Sequence, residues 1–178
     1  MRSANELLIQ YAHYHRDRRN IATHFVGIPM IVFAIGVLLA RASFTLGGFT
    51  LTAAWVAAAL VTVWYLMRGR LDLAVAVSAA TWLLVALAHQ VAGGSTTEWL
   101  VWGVGSFVVG WVLQFIGHYY EGKKPAFVDD IVGLLVGPMF VTAEALFALG
   151  WGRELHAKIE RQAGPTHIRD LKQPLASH

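Results

Sequence analysis

The chain has 178 residues, of which 56% are hydrophobic and only 14% charged, with a formal net charge of +3 and no cysteine. Soluble domains sit near 45–50% apolar and about 25% charged, so this composition, with a mean hydropathy of +0.52, points to an integral membrane protein with room for one helical domain. The missing cysteine excludes disulfides, thiolate metal sites and thiol nucleophiles together, leaving imidazole and carboxylate for any ligand chemistry.

Residues 1–20 are polar, with Arg2, His13, His15, Arg16, Asp17, Arg18 and Arg19. The first apolar run starts only at Ile21, too late for a signal peptide, with Asn20 as its N-cap and His24 one turn inside. Pro29 should loosen that helix, as neighbouring helices in a membrane allow. Further apolar segments follow at 48–67, 71–92, 99–117 and 131–151, to be measured against the roughly 20 residues that span the hydrocarbon. No extended polar–apolar alternation supports a β-barrel, so the fold class expected is all-α, an integral membrane bundle. Short links at 41–47, 68–70, 93–98 and 119–130 make consecutive helices antiparallel neighbours. Gly103, Gly105, Ser106 and Gly110 give the fourth segment a small-residue surface for close packing. Assembly as a homo-oligomer is left open.

Lys and Arg gather before the first span, after the second (Arg68, Arg70), after the fourth (Lys123, Lys124) and in the tail from Arg153. Positive-inside bias then places both termini and both basic links in the cytoplasm, with a bacterial inner membrane, or the ER of a eukaryote, as the location. Four spans satisfy this and a fifth would export the tail. Segment 131–151 is therefore expected to be broken near Gly137-Pro138, with Glu144 in its second half. The division expected is a membrane domain over 1–152, including the His-bearing N-terminal segment, and a polar basic tail over 153–178. Because the basic residues flank membrane segments, lipid is an expected partner and nucleic acid is not.

Chemistry concentrates where the fourth span ends. In the run Trp111 to Ala126, Gln114 and His118 are four apart and His118 and Glu121 three apart, so all three share one helix face at the membrane border. An ionisable residue there is costly enough to suggest function, although a capped helix end with Lys123 and Lys124 as interfacial anchors is the competing reading. The topology also brings His13, His15 and His24 to that same membrane face. Helical phase puts His13, Asp17, Asn20 and His24 on one side and His15 nearly opposite; a break within 16–20 would let His15 fold back. His89 lies near the far end of the third span, about 27 Å along the helix from Leu71, and reads as a packed histidine. His156, His167 and His178 fall in the tail and need no special role.

The pattern Tyr11-x-x-Tyr14-His15, Asn20, His24 and Pro29, followed by Gln114-Phe-Ile-Gly-His118, Glu121 and Pro125-Ala126, resembles the membrane family of the fungal 2-hydroxy fatty acid α-dioxygenase, which also has bacterial members. The resemblance runs from Tyr11 to about Leu149. It implies an Fe(II)-dependent enzyme that consumes O2 and oxidatively decarboxylates a 2-hydroxy fatty acid to CO2 and the acid one carbon shorter. By position it carries over His15, His24 and His118 as metal ligands, Glu121 as a further catalytic residue, and Asn20 and Gln114 as residues of the cofactor site. The spacing of the Glu varies in the family, which makes its transfer the weakest. Elementary chemistry agrees, since non-haem Fe(II) oxygenases use a few His or carboxylate ligands and leave positions open for O2 and substrate. The substrate carboxylate would then lie near Arg16, Arg18, Arg19, Lys123 or Lys124. Rival readings are a non-enzymatic membrane scaffold or carrier, and another His-ligated membrane lipid oxidase or hydroxylase. The dense histidine boxes of a di-iron desaturase are missing.

Overall fold

The computed structural model describes residues 2–128 and 130–172; His178 lies outside them. Helix α1 (Ala4–Ala12) opens on a capping box: the Ser3 side chain accepts from the Glu6 backbone, and the Glu6 carboxylate accepts from Ser3 N at 2.7 Å. Its buried residues Ala4, Leu7, Leu8, Tyr11 and Ala12 form one apolar stripe. Helix α2 (Arg18–Ala40) follows after a break and carries Pro29 within it. A hairpin comes next, strands β1 (Ser43–Leu46) and β2 (Phe49–Thr52), then α3 (Ala53–Leu66) and α4 (Leu71–Ala92). Helix α5 (Thr96–Leu100) passes through a π-helical turn, Val101–Gly105, into α6 (Ser106–Glu121). The chain closes with α7 (Gly133–Ala148) and α8 (Arg153–Ala163).

The helical membrane bundle stands. Three stretches are long and apolar enough to cross a membrane, Arg18–Ala40, Leu71–Ala92 and Thr96–Glu121, and α7 with α8 qualify together as one bent pair. Two details differ from the sequence expectation. The run expected as a helix from residue 48 begins as a strand: Phe44, Leu46, Phe49 and Leu51 alternate with Thr45, Thr50 and Thr52 around Gly47-Gly48, whose φ values of 57° and 84° suit a two-residue hairpin turn. Helix α3 is left with 14 residues, about 21 Å of rise against a hydrocarbon core of about 30 Å. The broken segment also breaks later than Gly137-Pro138. Pro138 sits inside α7, near its start, whereas Gly150 and Gly152 at positive φ turn the chain by 117° into α8.

The chain forms two compact units, one of residues 29–111 and one of residues 2–28 with 112–172, so α2 and α6 each contribute to both. In the unit of 29–111, α3 packs on α4 and a small core of Ala40, Ala54, Ala58, Val85 and Ala92 is covered by Leu39, Trp55 and Trp99. In the other, α1 packs on α7 and α8, burying Phe140, Met139, Leu155 and Ile159.

Candidate metal centre

The second unit is unusual for what it buries. His15, Asp17 and Asn20 are 0% exposed, His24 is 1% exposed, and Gln114, His118 and Glu121 are each under 7%. Burying this many polar groups is costly unless each is paired or serves a ligand.

The break between α1 and α2 places His15. Tyr14 N and His15 N donate to Tyr11 O and Ala12 O, each at 3.0 Å, which closes α1, and the chain then turns through Arg16 and Asp17. Asp17 caps α2, its carboxylate accepting from Arg19 N at 2.8 Å. The turn is fixed from within by Glu121 at the end of α6. Its carboxylate accepts from Arg16 N at 3.0 Å, Asp17 N at 2.8 Å and Asn20 Nδ2 at 3.0 Å. The His15 ring stacks on Tyr11, with centroids 4.0 Å apart and planes 4° off parallel, and has Phe140 at 5.3 Å.

The helices bring the other two imidazoles to it. A β-carbon on Gly117 would lie 2.2 Å from Thr23 Oγ1 and 2.4 Å from Asn20 Oδ1. Glycine at that point lets α6 approach the first turns of α2, one residue before His118. Ring centroids are then 4.5 Å apart for His15 and His24, 4.9 Å for His15 and His118, and 5.1 Å for His24 and His118. One potential ligand atom from each of the three lies within 4.8 Å of the others.

Hydrogen bonding shows what this trio fits. His15 Nδ1 donates to Tyr11 O at 2.8 Å and His24 Nδ1 donates to Asn20 O at 2.9 Å. Carbonyls only accept, so each neutral ring carries its proton on Nδ1 and presents a bare lone pair at Nε2. Those two Nε2 atoms face each other at 3.0 Å, which is repulsive unless a positive centre lies between them. A proton is a poor candidate, because burial, then the neighbouring His24 and His118 imidazoles and Arg16, hold the His15 pKa well below 6.5. A divalent metal fits the donor set, since neutral imidazoles present lone pairs that such an ion accepts. Backbone carbonyls orienting the ligand rings through Nδ1 are the usual outer-shell support. His118 Nδ1, Gln114 Nε2 and Asn20 Oδ1 are buried without a hydrogen-bond partner among the described residues, the first of them on the trio itself.

The structure therefore brings His15, His24 and His118 together. Asn20 and Gln114 are also buried, and Glu121 grips the turn rather than joining the trio. His15 does fold back, but the break spans 13–17, earlier than the 16–20 stretch expected. His13 is exposed. His89 is engaged elsewhere, with Nδ1 donating to Val85 O at 2.8 Å, Nε2 2.9 Å from Thr52 Oγ1, and its ring stacked on Trp55. Of the cations expected to meet a substrate carboxylate, Arg16 is buried against Ala12 O, His15 O and Glu144, Arg19 pairs with Asp17 at 2.7 Å, and Lys123 donates to His13 O at 2.7 Å. Sequence reasoning missed the roles of Asp17 and Arg169. Asp17 beside Arg19 was the available signal, but its second partner lies 152 residues away.

Fold and site together define a helical membrane protein with a buried three-imidazole cluster able to hold a metal ion. The chain belongs to the Mpo1-like family, whose model, described as 2-hydroxy-palmitic acid dioxygenase Mpo1-like, matches residues 1–149. The 2-hydroxy-palmitic acid dioxygenase MPO1 of Saccharomyces cerevisiae is 31% identical over 169 residues, covering 92% of this chain and 87% of the yeast protein. No solved structure matches.

Proposed function

We propose that the protein is an Fe(II)-dependent dioxygenase that converts a 2-hydroxy fatty acid and O2 into the fatty acid one carbon shorter, CO2 and water. The reaction balances without an outside reductant, because the four electrons taken by O2 are those released when the hydroxyl-bearing carbon becomes a carboxyl and the original carboxyl leaves as CO2. The observation that carries this reading is the pair of Nε2 lone pairs 3.0 Å apart with a third imidazole beside them. The yeast relative, named for its action on 2-hydroxy-palmitic acid, supports the substrate class.

In this reading His15, His24 and His118 hold the iron, which when bound supplies a site where O2 and a 2-hydroxy acid are activated together. The chain's own residues do the rest. Tyr11 O and Asn20 O hold the Nδ1 protons and so aim Nε2, Glu121 sets the His15 turn, and Tyr11 and Phe140 shield the His15 ring from water. Glu121 thus acts as a positioning residue. Gln114 Nε2 is a donor available to a bound acid. Phe25, Val26, Phe115 and Ile116 are exposed on the neighbouring turns of α2 and α6 and would keep the acyl chain in hydrocarbon. Positive-inside charge puts this end of the helices on the cytoplasmic side.

The test is purified protein assayed for iron and for CO2 released from 2-hydroxypalmitate. About one iron per chain and loss of turnover on chelation are expected. Absence of iron, or turnover of palmitate in preference to its 2-hydroxy form, would overturn the assignment.

A further inference from the structure

The turn that carries His15 is held from two sides, and only the inner one, Glu121, lies on the helix that carries His118. On the outer side residues 164–169, beyond the stretch that the family model matches, run along it. His167 N donates to Arg16 O and Arg18 N donates to His167 O, both at 2.9 Å, a parallel bridge centred on Asp17. Arg169 N then donates to the buried Asp17 carboxylate at 2.8 Å. Arg19 closes the knot, its guanidinium donating to Asp17 at 2.7 and 3.0 Å and to Arg169 O at 2.8 Å. The Arg169 side chain reaches the other way, donating to Tyr120 O at 3.0 Å and Tyr119 O at 3.3 Å, carbonyls in the last turn of α6. It lies so close over Gly122 that a β-carbon there would be 2.7 Å from its guanidinium carbon.

Arg169 therefore joins two backbones: by its own N–H the turn that carries His15, and by its side chain the end of the helix that carries His118. Glu121 makes the corresponding link on the inner face. With both in place, the N–H groups of Arg16, Asp17 and Arg18 and the carbonyl of Arg16 are all paired, so the turn has one geometry available to it.

We propose that the C-terminal segment 164–169 is a strap, with Arg169 and Asp17 as positioning residues that fix His15 against His24 and His118 and so set the metal affinity of the cluster. This rests on the metal reading above. A strap residue differs from a merely structural one in acting on one histidine of three.

The test uses full-length protein in detergent, comparing Arg169→Ala and Asp17→Asn with wild type. In metal-free protein, diethylpyrocarbonate labelling followed by peptide mass spectrometry reads each histidine. Both variants are expected to label at His15 at least tenfold faster while His24 and His118, carried on helices, stay protected. Titration with Co(II) alone, followed by its visible absorption, should show at least tenfold weaker binding, with melting little changed. His15 as protected in the variants as in wild type overturns the strap, and so does simultaneous labelling of all three histidines, which would mean general loosening. Should Arg169→Ala fail to fold, Asp17→Asn carries the same criteria. Selective His15 labelling in the variants with no Co(II) binding by wild type would support the strap and count against the metal reading, so the two fail separately.

Discussion

His89 and the pair His15 and His24 are anchored alike, and the difference between them separates packing from chemistry. In all three, Nδ1 donates to the carbonyl four residues earlier, Val85, Tyr11 and Asn20 respectively. What differs is the other nitrogen. His89 Nε2 meets the Thr52 hydroxyl beside a stacked Trp55, a satisfied environment that needs nothing added. His15 and His24 present Nε2 to each other, an arrangement that a shared cation completes. A buried histidine is thus read from what its second nitrogen faces, since the first is often consumed by the backbone.

The sharpest way to break this contrast is to truncate one histidine of each kind. His118→Ala should lower turnover at least about 100-fold and lose bound iron with little change in melting, a ligand loss exceeding the 10- to 100-fold typical of outer-shell changes. His89→Ala should keep iron and turnover while losing roughly 1–3 kcal/mol of stability through the unpaired hydroxyl and lost stacking. Iron-free His89→Ala protein would erase the distinction.

Next in size is Glu121→Gln, which keeps the shape but turns one acceptor oxygen toward N–H donors as an NH2 group. We expect iron affinity to fall by about 10- to 100-fold, read by competition with a chelator, and an unchanged affinity would show that the turn holds itself.

A pH series on metal-free protein sharpens the comparison further. Burial, with the neighbouring imidazoles and Arg16, keeps the His15 pKa well below 6.5, so below about pH 6.5 the unfolded chain binds a proton that the folded chain refuses. Stability from this group is complete above that pH and falls as pH drops, by about 1.4 kcal/mol per unit. Unfolding midpoints that stay flat between pH 7 and 5.5 would contradict this. Added metal should hold the midpoint up until protons displace it.

The smallest effect belongs to Thr52→Val, which removes the His89 partner and the N-cap of α3. A loss of about 1 kcal/mol is expected, with turnover intact.

The three imidazoles were legible as candidates because the charge pattern reads as two distant segments sharing one membrane face, and because the motif spacing resembles a known family. Helical phase alone could not choose His15 over His13; that choice depends on where α1 ends, and the break came earlier than expected because Arg16 N and Asp17 N are claimed by a carboxylate 105 and 104 residues away. Glu121 reads in sequence as a ligand for the same reason that it works as a clamp, since a carboxylate three residues after a histidine shares its face whichever donors it meets. The hairpin had a local signal, Gly47-Gly48 between alternating residues, but one short enough to be hidden by the apolar run 48–67 that it adjoins. Contacts of the 164–169 segment had none, for a polar stretch does not announce what its backbone pairs with.

The spacing of these groups along the chain also orders events during synthesis. His24 and His118 are 94 residues apart, several seconds of translation at roughly 5–20 residues per second. Glu121, which grips the His15 turn, is made just after His118, and Arg169 later still. The nascent chain therefore displays His15 and His24 before His118 and before the side chains that fix the His15 turn. The three-imidazole cluster is thus a product of long-range packing, absent from the early nascent chain.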